Sequence, residues 1–359
     1  MKRFIPKGYS TDHTNKTVLK WPWVRPERNH EMNETYNRVT KQSGYGEKVL
    51  SILPWNKVTV PEDKNIPHGD MPGDKIEIED GHITKAEIIF PELVKLIAKA
   101  ADSNEYGRCV IAVCGGSGVG KSEIASLLSF YLNAAGIGSY TLSGDNYPHR
   151  IPKYNDAERL HIFREAGVRG MADAGYMNAE NFAIVQKWQQ ADDDANAEHV
   201  NEYAWFKSYI DAGSKALAGY LGTPNETDFD EVSTIIRAFK DGADTLTLRR
   251  MGRDESALWY EDVDFTDKKV LIIEWTHGNS DYIDGVDIPV LLNSTPSETL
   301  AHRRSRARDG KVDSAFTTLV LNIEQRELHS QAHKAKIIIS KDAELITFEQ
   351  YSAIMDSQF

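Results

Sequence analysis

Short apolar runs without alternation recur along the chain from Arg108 onward, with helical stretches between them. The runs cover residues 109–113, 140–142, 270–273, 290–292 and 337–339. Continuous runs rich in β-branched residues predict strands that are covered on both faces, as in a parallel sheet. Together with the intervening helices they predict an α/β domain built on a doubly wound parallel sheet of about five strands.

The second and third runs are too far apart for a simple crossover connection. The interval, residues 155–265, shows helical spacing at 179–189, 198–221 and 231–240 and a hairpin pattern at 245–249 with 258–263. An insertion of this size at the carboxyl edge of a sheet is suited to cover a substrate. We therefore expect a helical, substrate-covering insertion within the main domain.

The residues before the apolar runs predict an N-terminal appendage, 1–85, joined to a main domain, 86–359. Residues 75–79 alternate, a two-residue Asp-Gly turn follows, and residues 82–88 complete a predicted β-hairpin. A helix is expected over residues 91–101. The appendage also holds apolar anchors, expected to dock on the main domain or on a partner subunit of a homodimer: Trp21, Trp23 and Trp55.

Composition limits the classes of partner. Acidic residues outnumber basic ones by 54 to 42, and the net charge of −12 disfavours nucleic acid and anionic membranes. No segment approaches the roughly 18 apolar residues of a membrane span, and the N-terminus lacks a secretory signal. Cys109 and Cys114 share one predicted strand and lie about 16 Å apart, too far for a disulfide. We therefore expect a cytoplasmic protein with reduced thiols.

A glycine-rich segment between the first run and a helix has the spacing of a phosphate-binding loop, G-x-x-x-x-G-K-S. Its glycines let backbone N–H groups curl around phosphate oxygens, and the following helix adds its positive end. Lys121 is expected to contact the β- and γ-phosphates of ATP, and the Ser122 hydroxyl to bind Mg²⁺. The predicted nucleotide site comprises Gly115, Gly116, Ser117, Gly118, Val119, Gly120, Lys121 and Ser122.

Asp145 follows the second run directly and is therefore expected on the same sheet edge as the loop. It could accept a proton from an attacking hydroxyl, or it could hold Mg²⁺ through water. His149 and Arg150, a few residues on, could bind the acceptor of such a reaction. The plain alternative is an ordinary turn rich in Gly, Asp and Asn.

Glu274 ends the third run, and His277 follows it. Glu274 is predicted to join the Mg²⁺ shell or to contact acceptor hydroxyls, unless it faces water as a strand-end residue. His277 is predicted to contact the acceptor or to be structural, because no second His or Cys stands at ligand spacing. Arg250 lies at the end of the predicted hairpin and is expected to bind an anionic part of the acceptor, or to belong to a surface charge cluster.

Arginines recur along one later helix, which begins with a capping box at residues 295–298. Arg304 and Arg308 share one face and Arg303 and Arg306 another, and mutual repulsion makes anionic partners favourable. We predict a lid in which Arg303 contacts ATP and Arg304 and Arg308 stabilise the transferring phosphoryl group. A solvated basic helix is the alternative.

The phosphate loop and the segment around Asp145 resemble the uridine kinase and phosphoribulokinase group over residues 108–150 and 268–342. The resemblance implies an ATP-dependent kinase that phosphorylates a hydroxyl of a sugar, polyol or nucleoside, with Asp145 as base or metal-linked carboxylate. Two departures are the proline Pro148 before His149 and the residues Trp275 to His277 after Glu274.

Two other interpretations stay open. The segment Ser-Gly-Asp-Asn with a nearby Arg is also similar to adenylylsulfate kinases. A nucleotide-hydrolysing switch or regulatory ATPase would share the phosphate loop. A GTPase would need an Asn-Lys-x-Asp guanine-binding motif, which the sequence lacks.

Overall fold

The computed structural model describes residues 36–62, 65–301 and 314–356. The chain divides into two compact units, Met1–Tyr36 and Asn37–Phe359, and every element described below belongs to the second. Within the described residues, no helix is both long and apolar enough to cross a membrane. The predicted arginine helix begins with the described residues 295–298, but its arginines fall within residues 302–313, which lie outside the described residues, as do Trp21 and Trp23.

The elements follow one another in an alternating α/β order. The strands are β1 (Cys109–Gly115), β2 (Gly138–Ser143), β3 (Thr245–Met251), β4 (Leu258–Asp264), β5 (Lys268–Glu274), β6 (Ile288–Leu292) and β7 (Ile337–Ile339). The helices are α1 (Tyr45–Leu50), α2 (Asp80–Asp102), α3 (Lys121–Ala134), α4 (Pro152–Asp173), α5 (Ala179–Gln190), α6 (Lys207–Ala218), α7 (Phe229–Lys240), α8 (Ala315–Gln331) and α9 (Phe348–Asp356).

Five strands form one parallel sheet in the order β2-β5-β1-β6-β7, as the five apolar runs predict. Strand β1 is buried along its whole length because helices cover both faces of the sheet. The face that carries Cys109 and Ile111 packs against α2 and α3. The face that carries Cys114 packs against α8 and α9. The two cysteines are free and buried and belong to opposite faces, so the prediction of separate thiols is confirmed.

The predicted hairpin at residues 75–88 is wrong, because Asp80 begins helix α2. Glu79 is its extended N-cap, and the Glu79 N–H donates to His82 Nδ1 at 3.1 Å. The prediction started a helix at Pro91, following the preference of proline for first turns. The structure buries Ala86 and Phe90 on the same helix before that proline. The proposed boundary between residues 85 and 86 therefore falls inside α2.

Trp55 anchors the segment before α2 on the main core. Its ring lies 4.6 Å from that of Phe90 on α2 and 4.9 Å from that of Tyr131 on α3. This is the contact expected of an apolar anchor that docks on the main domain.

The insertion contains the predicted hairpin of β3 with β4, which is antiparallel. Helices α5 and α7 match their predicted ranges. The single helix expected over residues 198–221 is wrong: short 3₁₀ turns at Ala197–Asn201 and Ala204–Phe206 precede α6. Helix α4, begun by Pro152, was not predicted. Glycines let α4 and α6 approach closely, since a Cβ on Gly170 would lie 2.4 Å from that of Ala212.

Arg108 ties the return of the insertion to the sheet. Its guanidinium is fully buried and donates to the carbonyl oxygens of Lys268, Phe239, Ala243 and Phe265 at 2.6–3.0 Å. It also stacks 4.6 Å from the Phe239 ring centroid. Burial lowers the pKa of Arg108 to about 10, so the group stays charged at neutral pH. One side chain thus satisfies carbonyls from α7, β5 and the loops beside them.

We expect Arg108→Met to lower the free energy of unfolding by about 3 kcal/mol or more, because several buried carbonyls lose their donor. Urea unfolding followed by circular dichroism measures this. Arg169→Met is the matched control, since the Arg169 side chain is 77% exposed and its loss should change stability by less than about 0.5 kcal/mol. Equal midpoints for the two variants would contradict the role of Arg108.

Candidate functional site

The predicted phosphate loop lies where the strand order of the sheet reverses. Strand β1 sits between β5 and β6, and residues 115–122 connect it to α3. In open α/β sheets, this position at the carboxyl edge forms the ligand crevice. The amino end of α3 points its positive dipole end at the same place.

The conformation of the loop explains its glycines. Gly118 and Gly120 have φ values of 76° and 92°, in the left-handed region that favours glycine. A Cβ on Gly120 would also lie 2.7 Å from His82 Nε2. Lys121 Nζ donates to the Gly116 carbonyl oxygen at 3.0 Å, so the lysine lies over the loop. The loop therefore has the curl that phosphate binding requires.

Glu274 connects the loop to the neighbouring strand. Ser122 Oγ donates to Glu274 Oε2 at 3.0 Å, and Ser143 Oγ donates to Glu274 Oε1 at 2.7 Å. The sheet register places Glu274 between Val113 and Ser143, which fixes the carboxylate beside the loop. Glu274 is thus buried and hydrogen-bonded, which excludes the alternative of a strand-end residue facing water.

The surroundings of Glu274 suit a cation. Burial and, to a lesser extent, the nearby Asp145 carboxylate together raise its pKa to about 8, while Lys121 opposes the shift. A divalent cation would restore the ionised form. The donor set of a serine hydroxyl and a carboxylate consists of hard oxygens, and Mg²⁺ takes few protein ligands and keeps several waters. Ser122 and Glu274 therefore fit the Mg²⁺ predicted from the sequence.

Asp145 lies on the 3₁₀ turn Gly144–Asn146 that directly follows β2. Its side chain is exposed, and its charge acts on both Glu274 and Glu324. The turn packs flat on Trp275, since a Cβ on Gly144 would lie 2.0 Å from the Trp275 ring. The structure thus brings Asp145, Glu274 and the phosphate loop to one edge.

The insertion contributes a buried ion pair to the same region, where its charges act on Glu324 together with those of Lys121 and Asp145. Arg159 Nε donates to Glu226 Oε1 at 2.5 Å, Asn155 Nδ2 donates to the same oxygen at 2.9 Å, and the Gly222 N–H donates to Oε2 at 2.7 Å. Burial alone would raise the pKa of Glu226, but Arg159 and these donors outweigh it and hold the pKa below its ordinary value.

His149 and Arg150 lie at the junction between the loop after β2 and the insertion. The His149 Nε2 lies 2.9 Å from the Pro224 carbonyl oxygen. Arg150 donates to the Tyr220 hydroxyl at 2.9 Å and pairs with Glu158 at 3.3 Å. These contacts attach both residues to the insertion, and the Arg150 side chain is still 38% exposed.

His277 and helix α8 form a further wall of the candidate site. A Cβ on Gly222 would lie 2.8 Å from His277 Cε1, and Glu327 Oε2 lies 3.9 Å from His277 Nδ1. Burial lowers the pKa of His277 to about 4, so the ring is neutral at pH 7. Burial also favours the neutral form of Glu327, because it raises the pKa of that carboxyl to about 8.

Glu324 extends this wall to the phosphate loop. Together with Gln325 of the same helix and Thr295, it lines a small cavity against Gly116 and Ser117. Burial raises its pKa, while Arg159 opposes the shift. Glu324 therefore lies between the nucleotide loop and the Arg159 pair.

Arg250 differs from its prediction. It is buried and donates to Asp70, Glu261 and the Tyr140 hydroxyl at 2.9–3.1 Å. These contacts occupy the guanidinium and give no support to binding of an anionic acceptor group. The lid arginines Arg303, Arg304 and Arg308 lie outside the described residues.

From the sequence, Arg159 could line the acceptor site or belong to a helix surface, and the structure pairs it with Glu226. Three site residues were missed from the sequence. Glu226 and Glu324 lie in a loop and on a helix whose polar residues look like ordinary surface, and Asp70 lies in a segment without periodicity. Pro152 at the start of α4 is the signal that could have placed the residues after the Asp145 turn on a helix.

Strand order, phosphate loop and the carboxylate at the end of β5 define an α/β protein of the P-loop NTPase type. No family model matches the chain. The chain is 38% identical over 250 residues to the bifunctional α-galactosidase/sucrose kinase AgaSK of Mediterraneibacter gnavus, which corresponds to 70% of this chain and 22% of that protein. The chain thus spans about a fifth of the curated relative it matches.

Solved structures with similar folds also bear kinase names. One is a Silicibacter protein named as a candidate fructose transport system kinase, at 14% identity and a TM-score of 0.40, with 71% of this chain and 96% of that chain covered. Another is a possible uridine kinase of Bacillus stearothermophilus, at 16% identity and a TM-score of 0.31, with 69% and 98% covered.

The lowered pKa of His277 predicts a pH-dependent stability. The unfolded chain takes up a proton near pH 6.5 but the folded chain only near pH 4, so stability rises with pH across this window and is lost as pH falls. We expect His277→Gln to reduce the loss of unfolding free energy between pH 7 and pH 5 by up to about 2 kcal/mol. Urea titrations at both pH values measure it.

The control for this prediction is His161→Gln, because the His161 side chain is 61% exposed. That variant should show the same pH dependence as the wild type. A wild-type pH dependence in His277→Gln would show that the ring does not titrate as its burial requires.

Proposed function

We propose that the chain is an ATP-dependent kinase that transfers the γ-phosphate to a hydroxyl of a small, sugar-like acceptor. The observation that carries the proposal is the meeting of the curled loop 115–122 with Glu274 and Asp145 at one sheet edge, with the charges of the Arg159 and Glu226 pair nearby. Such a cleft holds a nucleotide on one side and leaves an acceptor site on the other. The kinase name of the relative supports this assignment.

In the proposed reaction, loop amides and Lys121 bind the polyphosphate, and Lys121 stabilises charge on the transferring group. Bound Mg²⁺, held by Ser122 and Glu274, would neutralise phosphate charge. Asp145 accepts the proton of the acceptor hydroxyl and aligns its oxygen for in-line attack. His149, Arg150 and His277 border the acceptor side.

The charges of the cleft favour a neutral acceptor. The exposed carboxylate of Asp145 adds negative charge, and the guanidinium of Arg159 is already paired with Glu226. An acceptor that carries phosphate, sulfate or carboxylate would meet repulsion here. This argues against adenylylsulfate, and the name of the relative makes sucrose the first acceptor to test.

The proposal is tested by acceptor-dependent ADP release, with the product identified by mass spectrometry. We expect Lys121→Ala to abolish turnover, and Asp145→Asn to lower kcat by roughly 10²–10⁴-fold with little change in ATP affinity. Asp173→Asn, on the exposed end of α4, is the control and should keep wild-type rates.

Two outcomes would contradict this proposal. ADP release at the same rate with and without any acceptor would favour a switch or regulatory ATPase. Adenylylsulfate as the best acceptor would favour the second kinase interpretation.

Wild-type turnover by Asp145→Asn would remove that residue from the chemistry.

The charge argument gives a separate prediction. A neutral sugar should be phosphorylated with a higher kcat/KM than its 6-phosphate or its uronic acid. At a pH above the raised pKa of Glu324, where this carboxylate is ionised, Glu324→Gln should raise kcat/KM for the anionic compound by roughly fivefold, since it removes about 1 kcal/mol of repulsion. Glu349→Gln on the exposed face of α9 is the control. A preference for the anionic acceptor in the wild type would refute the argument.

A further inference from the structure

A single carboxylate, that of Asp70, joins three parts of the chain that are far apart in sequence. Its Oδ1 accepts from the Ser143 N–H at 2.8 Å and from Asn146 Nδ2 at 2.9 Å. Its Oδ2 accepts from the Tyr140 hydroxyl at 2.8 Å and from Arg250 Nη1 at 2.9 Å. The side chain of Asp70 is only 9% exposed.

These contacts surround the turn that carries Asp145. Ser143 and Asn146 are the residues on either side of Gly144 and Asp145, and both donate to the same oxygen of Asp70. Asn146 Oδ1 in turn accepts from the Met251 N–H at 2.9 Å. The backbone of the turn is therefore held at both ends before Asp145 contacts any acceptor.

Arg250 holds Asp70 in this position. Its Nη1 donates to Asp70, its Nη2 donates to the Tyr140 hydroxyl at 2.9 Å, and its Nε donates to Glu261 at 3.1 Å. The side chain of Arg250 is 5% exposed. A planar, forked donor of this kind can bridge two partners at fixed angles.

The same segment also approaches the metal side of the cleft. A Cβ on Gly69 would lie 3.7 Å from Glu274 Oε1. The Ser143 N–H donates to Asp70 and the Ser143 hydroxyl donates to Glu274, so both carboxylates act on one residue. Residues 69–70 therefore form part of the wall beside Glu274.

We infer that Asp70 and Arg250 are a positioning pair, which aligns Asp145 and Glu274 for phosphoryl transfer. The inference rests on the proposed function and gives part of the N-terminal segment a role in it. Neither side chain contacts the reacting atoms. Because misplacement of a catalytic group by about 1 Å can cost 10²-fold in rate, loss of the pair should act on kcat.

The test measures Asp70→Asn, Arg250→Gln and the double variant in the full chain. We expect each single variant to lower kcat by roughly 10- to 100-fold, with the KM for ATP changed less than about threefold. The double variant should lose no more than the worse single variant, because both act through one contact. Hydrogen exchange of the peptide that spans residues 140–147 should become faster in all three.

Asp194→Asn is the matched control. Asp194 is also buried and also accepts from an arginine and a tyrosine, Arg164 at 2.7 and 3.0 Å and Tyr209 at 2.7 Å. Its loss should lower stability by an amount similar to the loss of Asp70 but leave kcat and the exchange of residues 140–147 unchanged. If Arg250→Gln does not fold, Arg250→Lys replaces it, since it keeps the charge but loses the fork.

Three results would overturn the inference. One is wild-type kcat in folded Asp70→Asn. Another is a loss of kcat in Asp194→Asn as large as that in Asp70→Asn. The third is a wild type without acceptor-dependent transfer whose variants still show faster exchange of residues 140–147. That result would refute the proposed function and leave the pair with a structural role only.

Unchanged exchange in the variants of an active wild type would reject the positioning role of the pair and leave the proposed function standing.

Discussion

A buried carboxylate at the end of β5 determines the geometry of the cleft. Glu274 accepts one hydrogen bond from the Ser122 hydroxyl of the phosphate loop and another from the Ser143 hydroxyl at the end of β2. The nucleotide side and the Asp145 side are therefore attached to the same carboxylate. A carboxylate in such a place is costly unless a positive charge accompanies it. Burial accordingly raises the pKa of Glu274 to about 8, and a cation bound at this edge would restore the ionised carboxylate.

The elements that could be predicted from the sequence are those with short-range signals. The five apolar runs predict buried strands, and the glycine spacing of residues 115–122 predicts a curled loop. Both features appear in the structure. The start of helix α2 was misjudged because Pro91 imitates a helix start, whereas burial of Ala86 and Phe90 depends on packing against the sheet. Local propensity cannot report such tertiary burial.

The residues that escaped prediction act across long sequence separations. Arg108 binds carbonyls more than a hundred residues away, and Asp70 binds Arg250 from the far end of the insertion. No periodicity or motif marks such partners, because each is an ordinary charged residue until the fold surrounds it. Arg250 shows the reverse error, since a basic cluster in sequence became an internal ion pair.

The two attachments of the insertion have a consequence for how this architecture can diversify. Arg108 secures it at the amino edge of the sheet, through carbonyls of α7 and β5, and Arg250 secures it at the carboxyl edge. The contacts described for these two arginines involve no residue of α4, α5 or α6. Substitutions in those three helices therefore leave both attachments intact, so the acceptor side of the insertion can change while its connection to the sheet is kept.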